Sequence, residues 1–183
     1  GHVAHDGRTA AHPPAPIPPV EERPLSDLVP ALTVAAAVSS AVLTGVLFAF
    51  STSVMPALAG RPPAEGMAAM QAMNRTILNP IFGLLFGGSA LLCLVVAVSA
   101  PFTGDQDGAG WRLAGGVLYV VGVFVETMVV NVPMNDRLDA ADASTAAGQS
   151  VWADFLIRWT RWNNVRSLLG VVAATFLVVS LAV

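Results

Sequence analysis

Four stretches of this chain are long and apolar enough to cross a bilayer, and they limit what it can fold into. A helix needs about 20 apolar residues to traverse the hydrocarbon core. Residues 28–60 carry no charged side chain, and Leu28 to Phe50 reads as the first span. Residues 76–104 are also uncharged, which makes Pro80 to Ala100 the second. The third runs from about Trp111 to Asn131 and is interrupted by Glu126. The fourth runs from about Asn163 to Val183, with no side-chain charge from Ser167 onward. The expected fold is all-α: a four-transmembrane-helix bundle over residues 28–183, with amphipathic interfacial helices after spans one and three. Composition agrees, since hydrophobic residues make up 55% and charged residues 11%, against about 25% charged in soluble domains.

The same composition excludes several function classes. There is no lysine among nine basic residues, too few cations for a nucleic-acid binder. A net charge of -3 is too small to steer charged partners. Cys93 is the only cysteine, so an internal disulfide and a Cys-x-x-Cys site are ruled out. All three histidines (His2, His5 and His12) lie in the first dozen residues. The bundle therefore has no histidine for a haem, a zinc site or a Ser-His-Asp triad. No cofactor and no metal are read from the sequence.

Residues 1–27 hold Pro13, Pro14, Pro16, Pro18, Pro19 and Pro24 and read as an extended, disordered tail. Ser26-Asp27 is a candidate N-cap for the first span, with Pro30 in its first turn. Two of the three connections are long. After span one, Met67, Met70, Gln71, Asn74 and Leu78 recur at helical spacing before Asn79-Pro80. After span three, Trp152, Phe155, Trp159 and Trp162 share one helix face that runs without a proline into span four, so one long helix is expected there. That stripe reads either as an interfacial anchor or as a binding wall. Gly83-x-x-x-Gly87 reads as a helix-packing face.

The long connections and the helix ends beside them hold Arg61, Arg75, Arg137, Arg158, Arg161 and Arg166, against Arg8, Arg23 and Arg112 on the other side. The positive-inside rule then places the long loops in the cytoplasm and both termini outside, in what reads as a bacterial plasma membrane. The two halves also echo each other. Each has a span, a proline-containing exit (Met55-Pro56, Val132-Pro133), an amphipathic helix, an Asn/Arg cluster and a second span.

Polar side chains inside such a bundle are costly unless paired, and are functional candidates by default. They gather at one membrane face. Glu126, Asn131 and Asn135 leave span three, Trp159, Trp162, Asn163 and Arg166 lead into span four, and Gln71, Asn74 and Asn79 lead into span two. Trp159, Asn163 and Arg166 lie at i, i+4 and i+7, on one helix face. Glu126, five residues before Asn131, should lie about 7.5 Å deeper along a regular helix. It reads either as an ion-pair partner of Arg166 or as a general base. The asparagines read either as caps for broken backbone around Pro133 and Pro80 or as ligand contacts.

At these residues the sequence resembles the anthrone oxygenase-like family of small four-span membrane proteins. The resemblance rests on Asn131-x-Pro133-x-Asn135, Trp159-x-x-Trp162-Asn163-x-x-Arg166, Met55-Pro56-Ala57-Leu58, Met70-Gln71-x-x-Asn74 and Asn79-Pro80. It covers about residues 30–183. It implies oxidation of an anthrone to an anthraquinone by molecular oxygen without an added cofactor, the activity of characterised fungal relatives. The chain departs from the family's pattern at Glu126, where a small hydroxylic residue is usual. If the resemblance carries over, Asn131, Asn135, Asn163 and Arg166 would stabilise an enolate oxygen. Glu126 or a water would take the proton, and Trp159 and Trp162 would stack on the rings. Gln71, Asn74 and Asn79 would complete the substrate contacts. The expected partners are membrane lipids and a lipophilic aromatic or quinone-like small molecule, with no nucleic acid. The alternative is a non-enzymatic membrane subunit or a lipid- or quinone-binding accessory protein of a larger complex, with the same polar ring holding the ligand; the chain is also a candidate homo-oligomer.

Overall fold

A computed structural model describes residues 23–103 and 106–183. Most of the expected tail lies outside the described residues. Helix α1 (Arg23–Ala49) continues through a π-helical turn, Phe50–Val54, into α2 (Met55–Ala59). Next come α3 (Pro63–Ile77) and α4 (Pro80–Ser99). Helix α5 (Gln106–Tyr119) runs through two π-helical segments, Val120–Val125 and Thr127–Asn131, into α6 (Val132–Asp139). The last helix is α7 (Ala146–Val179). No strand occurs among the described residues. Four helices, Leu28–Ala59, Pro80–Phe102, Asp107–Asp139 and Ala146–Val179, are long and apolar enough to cross a membrane. The fold is an all-α bundle of four candidate transmembrane helices.

Helix α1 already contains Ser26-Asp27, the expected cap, and Pro30 lies inside it rather than in its first turn. Helix α7 is the expected single long helix. Its 34 residues extend about 51 Å at about 1.5 Å per residue, far more than the hydrocarbon thickness. Thr145 caps it by accepting a hydrogen bond from the Gly148 N–H at 3.0 Å.

The two proline-containing exits share one device. A proline inside a helix lacks an N–H and crowds the carbonyl four residues back. In both exits the residue before the proline bonds five residues back instead: Met55 N–H to the Phe50 carbonyl, and Val132 N–H to the Thr127 carbonyl. Widening to a π-turn relieves the crowding and keeps the backbone bonded. This turn recurs in both halves.

Two apolar cores result. The bundle core includes Leu43, Cys93, Val96, Tyr119, Val123 and Leu177. A second core gathers Met55, Leu58, Met67, Met70, Leu138, Trp152, Phe155 and Trp159 where α2, α3 and α6 pack on the first half of α7. The tryptophan stripe therefore fills a protein core for most of its length, and only Trp162, at 39% exposure, faces outward. The close helix approaches lie elsewhere than Gly83-x-x-x-Gly87, since an added Cβ at Gly83 or Gly87 meets nothing within 4 Å. At Gly116 it would collide with the Cys93 carbonyl, and at Gly170 with the Thr44 hydroxyl. These two glycines let α5 approach α4 and α7 approach α1.

Candidate functional site

A cavity of about 580 Å³ lies where the exits of spans one and three meet the start of span two, within the range of small-molecule sites. Phe50, Phe82 and Phe86 supply apolar wall, and Asn74, Asn79, Asn135 and Asp136 supply polar wall. Arg166 and Trp159 line it from α7.

Arg166 is 5% exposed, and a guanidinium buried to that degree must be hydrogen-bonded to be tolerated. Its Nε and Nη2 donate to Asn163 Oδ1 at 2.9 and 2.7 Å. Its Nη1 donates to Thr127 Oγ1 at 3.0 Å. The guanidinium carbon sits 5.3 Å from the Trp159 ring centroid, within cation–π range. Asn163 is in turn fixed by donating to the Leu47 carbonyl and to Ser51 Oγ, both at 2.6 Å. The Thr127 hydroxyl in turn donates to the Val123 carbonyl at 2.5 Å. A guanidinium has five N–H donors, and these bonds occupy three.

A second branch joins the same cluster. With its carboxamide nitrogen turned toward Glu126, Asn131 donates to both carboxylate oxygens, at 2.6 and 3.1 Å, and accepts from Trp159 Nε1 at 3.3 Å. In a regular α-helix, residues five apart point in different directions. The π-turn at Thr127–Asn131 brings these two side chains into register, so the expected 7.5 Å offset does not separate them. No ion pair joins Glu126 to Arg166 among the described residues; the carboxylate is taken by Asn131. A continuous polar chain thus runs from Glu126 through Asn131, Trp159, Arg166 and Asn163 to the exit of span one.

The structure sorts the sequence-predicted residues into three groups. Asn74, Asn79, Asn135, Trp159 and Arg166 line the cavity. Glu126, Asn131 and Asn163 stand behind its wall and hold the lining residues. Gln71 and Trp162 are elsewhere. Gln71 Nε2 donates to the Leu138 and Ala141 carbonyls at 2.8 and 2.9 Å, closing the end of α6. Asn79 also caps α4, its Oδ1 accepting from the Phe82 N–H at 3.0 Å and its Nδ2 donating to the Thr76 carbonyl at 3.1 Å. Asn74 Nδ2 and Asn135 Oδ1 are buried with no hydrogen-bond partner.

Sequence reasoning missed Thr127, Ser51, Asp136 and the phenylalanine wall. Hydroxyls on spanning helices usually satisfy themselves on the preceding turn, so nothing in the pattern singles out these two. Among the described residues, no group of three or more His, Cys, Asp or Glu is placed to hold a metal ion.

No curated protein and no solved structure matches the chain. The anthrone oxygenase family model matches residues 70–176, more than half of the chain. The match takes in α4, both π-segments of the third span and the Trp159–Arg166 stretch of α7. On that match the chain belongs to the anthrone oxygenase family.

Proposed function

We propose that the protein oxidises a lipophilic anthrone- or quinol-type aromatic with molecular oxygen inside this cavity. The observation that carries the reading is Arg166: a buried guanidinium in the cavity wall, braced by Asn163 and Thr127, with two of its five N–H donors uncommitted. Donors fixed in place before the reaction stabilise charge that develops on a substrate oxygen, because no reorganisation is needed as the charge appears.

An anthrone bears its carbonyl and its acidic CH₂ on opposite edges of the central ring. An oxyanion donor and a base should therefore stand at opposite ends of the site. Arg166 holds the carbonyl end. At the mouth, Asp136 is a cavity-lining carboxylate and takes the proton. Glu126, held by Asn131, positions Trp159 and offsets the charge of Arg166. The enolate then gives one electron to oxygen, the resulting carbon radical and superoxide combine to form a C–O bond, and Asp136 returns its proton to the peroxide anion. The hydroperoxide eliminates water, breaking its O–O bond and the second C–H bond and leaving the new carbonyl. One oxygen atom stays in the product and the other leaves as water. Trp159, Phe82 and Phe86 contact the flat rings. In this reading α3 and α6 lie at the interface. Burial removes Arg166 and Arg112 alike from the arginine count, which leaves five against two, and the cytoplasmic placement of the cavity mouth rests on that difference.

Purified protein with an anthrone under ¹⁸O₂ should consume one O₂ per anthrone and form anthraquinone carrying one ¹⁸O. Product formed at the rate of a protein-free control, or without label, would rule the oxidation out.

A further inference from the structure

The cavity has a charged side and an apolar flank. On one side, Arg75 on α3 and Asp139 on α6 both line the cavity and are joined by an exposed ion pair of 2.5 Å. On the flank, α4 packs against α5 and Val120–Val125 and diverges from the third span beyond them. Phe82, Gly83 and Phe86 stand on one edge of the resulting slot, with Thr127 and Met128 on the other. Its surroundings are apolar and exposed, with Ile81 at 83%, Leu84 at 76% and Val129 at 67%. On helices that cross a bilayer such residues face acyl chains. Gly83 lines the cavity and is itself exposed, and an added Cβ there meets no atom within 4 Å, so a larger side chain would have room to stand in the slot. The edge is also aromatic. The Phe82 and Phe86 rings lie 6.0 Å apart at 5°, and Phe86 and Phe124 lie 5.0 Å apart at 30°.

We infer that the slot between α4 and the third span, with Gly83 at its threshold, is a lateral doorway. Through it a flat, membrane-dissolved aromatic molecule passes from the acyl-chain region into the cavity. This rests on the reading of the cavity as the ligand site. Because the slot opens onto the apolar flank, occupancy follows the ligand's concentration in the bilayer.

Two measurements test the doorway in phosphatidylcholine vesicles. In the first, a nitroxide is attached to Gly83→Cys in a Cys93→Ala background. It should collide with dissolved oxygen several-fold more readily than with a water-soluble nickel chelate, and a label at Arg61→Cys should show the reverse. A label at position 83 that favours the nickel chelate overturns the inference. In the second, 1,8-dihydroxyanthraquinone is the fluorescent probe. Gly83→Phe should slow its association at least tenfold, whereas Gly87→Phe, also in open space but off the cavity, should leave it unchanged. Equal association by both variants overturns the doorway even if oxidation stands. Wild type that binds the probe without oxidising an anthrone removes the oxidation alone. Wild type that never binds the probe removes both.

Discussion

Replacing Arg166 with alanine is expected to lower kcat/KM for anthrone oxidation by about 10²–10³-fold, the usual loss when a fixed oxyanion donor is removed. Lysine should recover little of this. A single ammonium cannot make the two convergent bonds to Asn163 Oδ1, the bond to Thr127 and a substrate contact together, and it lacks the planar fork that keeps the spare donors aimed. The loss should fall on kcat more than on KM, because charge on the substrate oxygen develops only during the reaction. Thermal unfolding in detergent, run in parallel, separates this loss from misfolding. A variant that keeps its melting temperature and also its activity would remove Arg166 from the chemistry.

Asn163→Ala is the second large effect, and it acts through Arg166. The carboxamide never reaches the cavity wall, yet it makes four hydrogen bonds: two accepted from the guanidinium and two donated to the exit of span one. Alanine leaves the Leu47 carbonyl, Ser51 and part of a buried guanidinium without these partners. That should cost about 2–4 kcal/mol of stability. Activity should fall toward that of Arg166→Ala, and the double variant should be no worse than Arg166→Ala alone, because both changes disable one unit. Asn163→Asp separates the two roles. It still accepts from Arg166 but cannot donate to Leu47, so activity should return further than stability does. Additive losses in the double variant would show that Asn163 acts independently of Arg166.

Much of the architecture was legible in the sequence because hydropathy and periodicity report burial directly. The four spans follow from charge-free length, and the single α7 follows from an aromatic stripe uninterrupted by proline. The partner of a face is less legible than the face itself. Trp152, Phe155 and Trp159 do share one side of α7, but that side meets the methionines of α2 and α3 and Leu138 of α6 rather than lipid. The hydrogen-bond register inside a helix is less legible again. Pro56 and Pro133 signal a disturbed exit, but only the coordinates show that it is absorbed as a π-turn. Because of that turn, Glu126 meets Asn131 instead of Arg166, and Asn131 holds Trp159 instead of contacting the cavity. The candidate site was therefore visible as a cluster, while the division between lining and supporting residues was not.

The central claim is that Arg166 stabilises negative charge on the oxygen of an aromatic ligand inside the cavity. Its most direct measurement is the visible spectrum of the protein mixed with an anthrone in the strict absence of oxygen, where the reaction must halt at the enolate. Wild type should show the enolate absorption band at a pH where free anthrone in the same detergent stays colourless, and Arg166→Ala should lack it. A wild-type spectrum without the band, or the same band in both proteins, would contradict the account.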